Sequence, residues 1–332
     1  MINNFNYFIF IFTIFITFLL VPQAKKISAK FELFDDPNNR KMHNDPKPRI
    51  GGLAVFSAFF ISSIMSLIFL KISGLGYSLI TIFLIFGFLF FLVGFLDDLY
   101  NLSPFIRLFF EIIFAILMMQ SGFKINSFII PLVFNNSNTI ALPTIFSNIF
   151  SILWIVGITN ALNWLDGLDG LLVSIVSIFN LVFLARFVEL GNIEGLLISL
   201  IILASCLAFF NFNRFPSSIF LGDGGSYFLG FSISALSLLA FTTNNQEKIF
   251  RFGIDSFDIF GALLFLFIPL ADMVRVIFLR IINKKSPFYS DRNHLHHLMV
   301  DNGFSVNQTV LFILLLIIFS IFALQLKDNI QF

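Results

Sequence analysis

Residues 160–171 read NALNWLDGLDGL, placing two asparagines and two aspartates in a chain dominated by Phe, Ile and Leu. On a helix, Asn160, Asn163 and Asp166 recur every third residue and share roughly one face. Gly167 and Gly170 permit tight turns and close approach of a ligand. Amide and carboxylate oxygens are hard donors, suited to Mg2+ and its water shell. A polar cap on a helix end is the ordinary alternative, but four polar groups exceed what a cap needs.

Four other stretches carry polar chemistry. GFLDDLYNLSPFIR (94–107) sets Asp97 beside Asp98 at the end of an apolar run. Adjacent carboxylates repel; they can share a cation, or one can serve as a base near neutral pH. A helix-end pair facing water is equally consistent with this stretch alone. FLGDGGSYFLGF (220–231) sets Asp223 among glycines, which suits either a metal carrying phosphate or a helix N-cap. SPFYSDRNHLHHLM (286–299) supplies Asp291, Arg292, His294, His296 and His297. No Cys or Glu accompanies these histidines and their spacing is not that of a zinc site, so hydrogen bonding to phosphate or sugar is the better reading. DDPNNRKMHNDPKPRIGG (35–52) adds Arg40, Lys41 and His43, cations that also fit a loop obeying the positive-inside rule.

The elements that position these groups follow from composition. The 332 residues are 58% hydrophobic and 12% charged, about half the charge of a soluble domain. That apolar excess points to the bilayer as solvent. Spans of sufficient length are expected at about 6–22, 51–71, 77–96, 105–121, 146–163, 170–188, 194–210, 225–242, 257–279 and 306–326. The first is read as a true span, since MINNFN has no cation and no cleavage site follows FLLVP. The fold class is therefore all-α: a polytopic helical bundle of about ten transmembrane helices, forming one membrane domain over 1–332. Fourteen of the 20 Lys and Arg fall on one side, which sets 23–50 inside and both termini outside. The loops at about 23–50, 97–104, 164–169, 211–224 and 280–305 then share the cytoplasmic face. Every polar stretch above lies in or beside them, and ionisable residues at membrane depth usually mark function. The outer segment 122–145 is expected to be an irregular connection. Cys206 stands alone, so there is no disulfide framework. A net charge of +1 announces no nucleic-acid surface.

Taken together and in this order, the five stretches resemble the polyprenyl-phosphate N-acetylhexosamine-1-phosphate transferases, nearest the WecA-type branch and related to the MraY-type enzymes. The similarity runs from about residue 34 to 303. It implies Mg2+-dependent transfer of an N-acetylhexosamine 1-phosphate, GlcNAc 1-phosphate foremost, from a UDP-sugar to undecaprenyl phosphate. The products would be a lipid diphosphate sugar and UMP, a first step in cell-envelope polysaccharide synthesis at the inner membrane. By the resemblance Asp97, Asp98 and Asp166 are catalytic, with Asp97 the proposed base. Asp223 binds the metal, with Asn163 as a further ligand, and Mn2+ could replace Mg2+. Asn163, Asp169, Arg40, Lys41, His43, Arg107, Asp291, Arg292, His294, His296 and His297 are implied to bind substrate. The partners are then UDP-N-acetylhexosamine, undecaprenyl phosphate and the lipid bilayer; a homodimer stays open.

Two other classes share some of these features. A secondary transporter would place its carboxylates near the midplane of repeated halves, not at span ends on one side. An intramembrane aspartyl protease would need Gly two residues before the Gly-Asp pair, where this chain has Phe220.

Overall fold

The computed structural model describes residues 2–35, 46–70, 78–131, 137–242, 254, 257–289 and 291–330. Among them are twelve helices. In chain order these are α1 (Ile2–Lys30), α2 (Gly51–Leu70), α3 (Leu79–Tyr100), α4 (Pro104–Gln120), α5 (Thr144–Leu165), α6 (Leu171–Glu189), α7 (Ile193–Asn213), α8 (Gly222–Ala240), α9 (Ile259–Phe265), α10 (Phe267–Ile282), α11 (Leu295–Asp301) and α12 (Val306–Ile330). Two short antiparallel pairs complete the chain: β1 (Phe34–Asp35) with β2 (Lys47–Pro48), and β3 (Ser127–Pro131) with β4 (Ser137–Ala141).

Seven helices are long and apolar enough to cross a bilayer: α1, α2, α3, α5, α6, α7 and α12. The pair α9–α10 makes an eighth if it crosses as one, bent by 81°. Pro269 explains the break. It has no N–H to donate back to Phe265, and its ring crowds the preceding turn. The two remaining expected spans are also helices but miss that measure. α4 has only 17 residues, and α8 is diluted by Gly and Ser.

The composition of α8 follows from its place. Every residue from Gly224 to Ala240 is buried, so no face of α8 meets lipid. It packs against α2, α3, α5 and α6 at the centre of the bundle. Small residues let backbones approach closely where helices pack without water. At Gly230, for example, a Cβ would lie 2.8 Å from the carbonyl oxygen of Thr159 in α5. Ser232, Ser234 and Ser237 return their hydroxyls to carbonyls three or four residues back, which satisfies them inside the core.

The described residues of segment 122–145 are not the irregular connection expected from its Asn and Pro content. β3 and β4 form a hairpin, and Ile254 and Phe257 bridge to Ile125 and Phe128 beside it. The β-branched and aromatic residues of 128–130 and 139–140 favour a pleated arrangement, and backbone groups leaving a helical bundle need partners.

Candidate active site

The site begins at the turn between α3 and α4. Asn101 ends α3 in the left-handed conformation, φ 49°. Ser103 then caps α4, and Pro104 opens it. This short reversal brings Arg107, in the first turns of α4, onto Asp97; the two form an ion pair. Asp98 points elsewhere, because neighbours on a helix diverge by about 100°. Its two oxygens accept the backbone N–H groups of Asp223 (3.1 Å) and Gly224 (3.0 Å), at the start of α8. Two glycines allow that approach. A Cβ on Gly94 would stand 2.2 Å from the carbonyl oxygen of Asp223. Gly222 has φ +76° and passes against the Arg49 carbonyl.

The end of α5 divides the polar face expected from the sequence: Asn160 and Asn163 lie on the helix, and Asp166 lies in the turn that follows it. Asn163 donates to Asp223 Oδ1 and to Ser226 Oγ, both at 2.7 Å. Its amide nitrogen therefore holds the Asp223 carboxylate. Asn160 turns away to Glu111 in α4. Asp169 accepts the Ser217 N–H at 2.8 Å and lies 3.6 Å from Lys47 Nζ. Asp166 lies in the turn after α5. Burial, then the negative charges of Asp223 and Asp169, push its carboxyl up to about 8.

Two cavities result. The first, about 340 Å3, is lined by Asp98, Asp166, Asp169 and Asp223, by the cations Arg49 and Lys47, and by the apolar rings of Phe215 and Phe220. The second, about 250 Å3, is lined by Arg107, Asn160, Trp164, Tyr227 and His294. Asn163 and His297 line both, so the cavities meet there.

The histidine segment divides its work. His294 Nδ1 lies 2.8 Å from Asp272 Oδ2. Asp272 Oδ1 accepts the Leu295 N–H at 2.9 Å and Arg275 at 2.8 Å. Asp291 makes a two-pronged pair with Arg280, at 3.0 and 3.1 Å, and Arg280 also donates to the Pro287 carbonyl. Partial burial opposes the charged form of Asp291, but the hydrogen bonds from Arg280 and Asn293 outweigh it and hold its carboxyl below the usual range. Arg292 pairs with Asp301 and lines neither cavity. His296 is fully buried and also lines neither. Arg40, Lys41 and His43 lie outside the described residues.

Of the expected residues, Asp98, Asn163, Asp166, Asp169, Asp223 and His297 converge on the first cavity. Arg107, Asn163, Asp291, His294 and His297 line the second, with Asp97 paired to Arg107 at its edge. Four further residues belong to this network without having been singled out: Asp272, Arg280, Glu111 and Tyr227. Glu111 is 1% exposed and accepts a hydrogen bond from Asn160, with Tyr227 close by. Their signal in the sequence was an acid, base or phenol inside an apolar run, which the bilayer makes costly unless it is paired.

The donor set can be tested against Mg2+. Among the described residues no group of three His, Cys, Asp or Glu side chains is placed to hold a metal ion by itself. Asp223 instead stands within electrostatic reach of Asp97, Asp98 and Asp166. Mg2+ usually keeps several waters and takes one or two carboxylates together with substrate phosphates. An open group of like-charged carboxylates beside a cavity fits that requirement.

Apolar helices with acidic and basic side chains gathered around two cavities at one end of the bundle describe a multi-pass membrane protein with a charged pocket. Glycosyl transferase family 4 matches residues 80–241. A probable undecaprenyl-phosphate N-acetylglucosaminyl 1-phosphate transferase of Bacillus subtilis (strain 168) is 34% identical over 322 residues, covering 96% of this chain and 84% of that protein. The undecaprenyl-phosphate alpha-N-acetylglucosaminyl 1-phosphate transferase of Pasteurella multocida (strain Pm70) is 31% identical over 310 residues, 89% of this chain and 79% of its own. A decaprenyl-phosphate N-acetylglucosaminephosphotransferase of Mycobacterium leprae (strain TN) is 29% identical over 320 residues, 90% and 78% of the two chains. The chain belongs to this family, the polyprenyl-phosphate sugar-1-phosphate transferases of glycosyl transferase family 4, and it is a phosphotransferase.

Proposed function

We propose that the protein transfers an N-acetylhexosamine 1-phosphate, GlcNAc 1-phosphate foremost, from a UDP-sugar to undecaprenyl phosphate with Mg2+ as cofactor. One observation carries the reading. Asp223 is held by Asn163, lies close to Asp97, and lines the first of two polar cavities that join at Asn163 at one end of an apolar bundle. A water-soluble nucleotide and a membrane lipid can meet only at such an end. The names of the relatives support the acceptor and the sugar.

In the reaction an oxygen of the lipid phosphate attacks the β-phosphorus of the UDP-sugar. The bond from that phosphorus to the oxygen bridging the two phosphates breaks, and UMP leaves. Phosphoryl transfer depends on alignment and charge neutralisation more than on covalent chemistry by the protein. Mg2+ held through Asp223 and its neighbouring carboxylates would neutralise the diphosphate. Asn163 orients the Asp223 carboxylate. Arg107 lends positive charge to an incoming phosphate, and Asp97 beside it is placed to take the phosphate proton. The first cavity offers a nucleobase the apolar wall of Phe215 and Phe220. The charged end faces the cytoplasm of the inner membrane, in line with the Lys and Arg bias, and the lipid-linked sugar primes an envelope polysaccharide.

The test is UMP release by purified protein supplied with undecaprenyl phosphate and a panel of UDP-sugars. UDP-GlcNAc should be the best donor, and EDTA should stop the reaction. Asp223→Asn should lower turnover by at least about a hundredfold, the scale of losing a charge-stabilising group. Near-normal turnover of that variant would remove Asp223 from the metal site. A cysteine placed within 283–289 should react only with reagents that reach the cytoplasm; labelling from outside intact cells would reverse the topology.

A further inference from the structure

Gly167 follows Asp166 in the turn between α5 and α6 and lines the first cavity. Its φ is not positive, so the backbone there does not itself call for glycine. The space does. A Cβ on Gly167 would lie 2.1 Å from Nε2 of His296 and 2.9–3.0 Å from the adjoining ring carbons. The tip of the imidazole occupies the place where any other residue would put its first side-chain atom.

The ring is enclosed by its neighbours. His296 is 0% exposed. Its ring lies 5.8 Å from that of His294, nearly parallel at 14°, and 4.2 Å from that of His297. His294 is itself anchored to Asp272. Neither ring nitrogen of His296 has a hydrogen-bond partner among the described residues. Burial, then the charges of His297 and His294, hold its pKa well below the ordinary histidine value, so the ring is neutral. A buried, neutral imidazole that lines neither cavity is poorly placed to touch substrate. It is well placed to bear on the turn that carries Asp166 and Asp169.

We propose that His296 is a positioning residue: its imidazole wedges against Gly167 and so fixes the Asp166–Asp169 turn at the wall of the first cavity. The far end of that turn is held separately, by the Ser217 N–H and Lys47 on Asp169. The histidine segment thus contributes His294 and His297 to the cavities and His296 to the scaffold between them. The kinetic consequence rests on the transferase reading; the packing claim does not.

Three variants of the full-length protein in detergent test it: Gly167→Ala, His296→Asn and the double substitution. Asn ends about one bond short of the Nε2 position, which makes room for the added methyl. Gly167→Ala should lower the thermal unfolding midpoint and raise the donor KM by about tenfold, the usual scale for a supporting contact. The acceptor KM should hold, because acceptor contacts are assigned to Arg107 and Asp97. Adding His296→Asn should recover at least half of both losses, where independent defects would accumulate. If Gly167→Ala alone cannot be purified folded, the double variant should be. A double variant as damaged as the two single effects combined, or one that also fails to fold, overturns the strut. So does Gly167→Ala with an unchanged midpoint and donor KM, or one that raises both KM values alike. A wild-type protein that releases no UMP would defeat the transferase reading, while the unfolding midpoints would still decide the strut.

Discussion

Asp98 accepts the backbone N–H of Gly224 at 3.0 Å, with that of Asp223 at 3.1 Å beside it. The side chain at the end of α3 therefore caps the start of α8, 125 residues further along the chain. An acidic cap satisfies amide groups that the helix cannot pair internally and complements the positive end of the helix dipole. It also fixes the backbone on which Asp223 stands. Asp98→Asn should lose one of the two accepted bonds and set an amide N–H against a backbone N–H. A destabilisation of about 1–2 kcal/mol is expected, the scale of losing a cap. Denaturant titration of the purified variant should show it, with turnover falling as Asp223 loses its support. Unchanged stability would mean that this cap contributes nothing.

Asp97→Asn should lower turnover by at least about a hundredfold, the scale of losing a general base, and leave the donor KM nearly unchanged. A lipid phosphate monoester has a second pKa of about 6, like a phosphorylated side chain. The variant should therefore regain part of its rate at alkaline pH, where the phosphate loses its proton unaided. A pH–rate profile without that rescue would leave Asp97 only the task of holding Arg107. A wild-type rate at neutral pH would sink both roles.

Asp272→Asn should raise the donor KM by about tenfold, as loss of a carboxylate that orients a functional histidine commonly does. Asp272 accepts from His294, Leu295 and Arg275, so it both turns the imidazole and seats the start of α11 on α10. Steady-state kinetics with varied UDP-sugar should show the rise with little change in the acceptor KM. Equal effects on both substrates would point to general loosening of the bundle.

His297 lines both cavities, and burial followed by the charge of Arg292 lowers its pKa from 6.5 to about 4. The folded protein thus disfavours the charged ring. The stability linked to its neutral form is full above about pH 6.5 and is lost as pH falls towards about 4. Unfolding midpoints measured across that window should fall with acid, and His297→Gln should flatten the slope. An identical slope in the variant would place the titration elsewhere.

Much of this protein is legible in one dimension. Apolar runs of helical length predict the bundle because a spanning segment must bury its own backbone hydrogen bonds. Charge in such a chain is costly, so Asp97, Asp98, Asn163, Asp166, Asp169 and Asp223 stand out by type alone, and the structure brings them together at one end. Hydropathy was less informative about α8. The run at 225–242 reads as a span, but nothing in it tells that the helix is buried on every side, where Gly and Ser serve close packing. The pairing of β3 with β4 was hidden for another reason: the Asn and Pro of the segment read as a loop and outweighed the β-branched and aromatic residues at 128–130 and 139–140.

The sequence by itself determined which side chains could not be left unpartnered in an apolar solvent. Only the tertiary structure decided who the partners are. Asp97 and Asp98 are indistinguishable as a pair of letters. About 100° of helical rotation sends one to Arg107 and the other to the amide groups of α8. The three histidines read as one cluster, yet packing gives His294 a carboxylate, His297 two cavities and His296 a glycine. Periodicity reports the environment a residue requires. The identity of its neighbour depends on how helices distant in the chain are stacked and turned against one another, and that is a property of the assembled bundle.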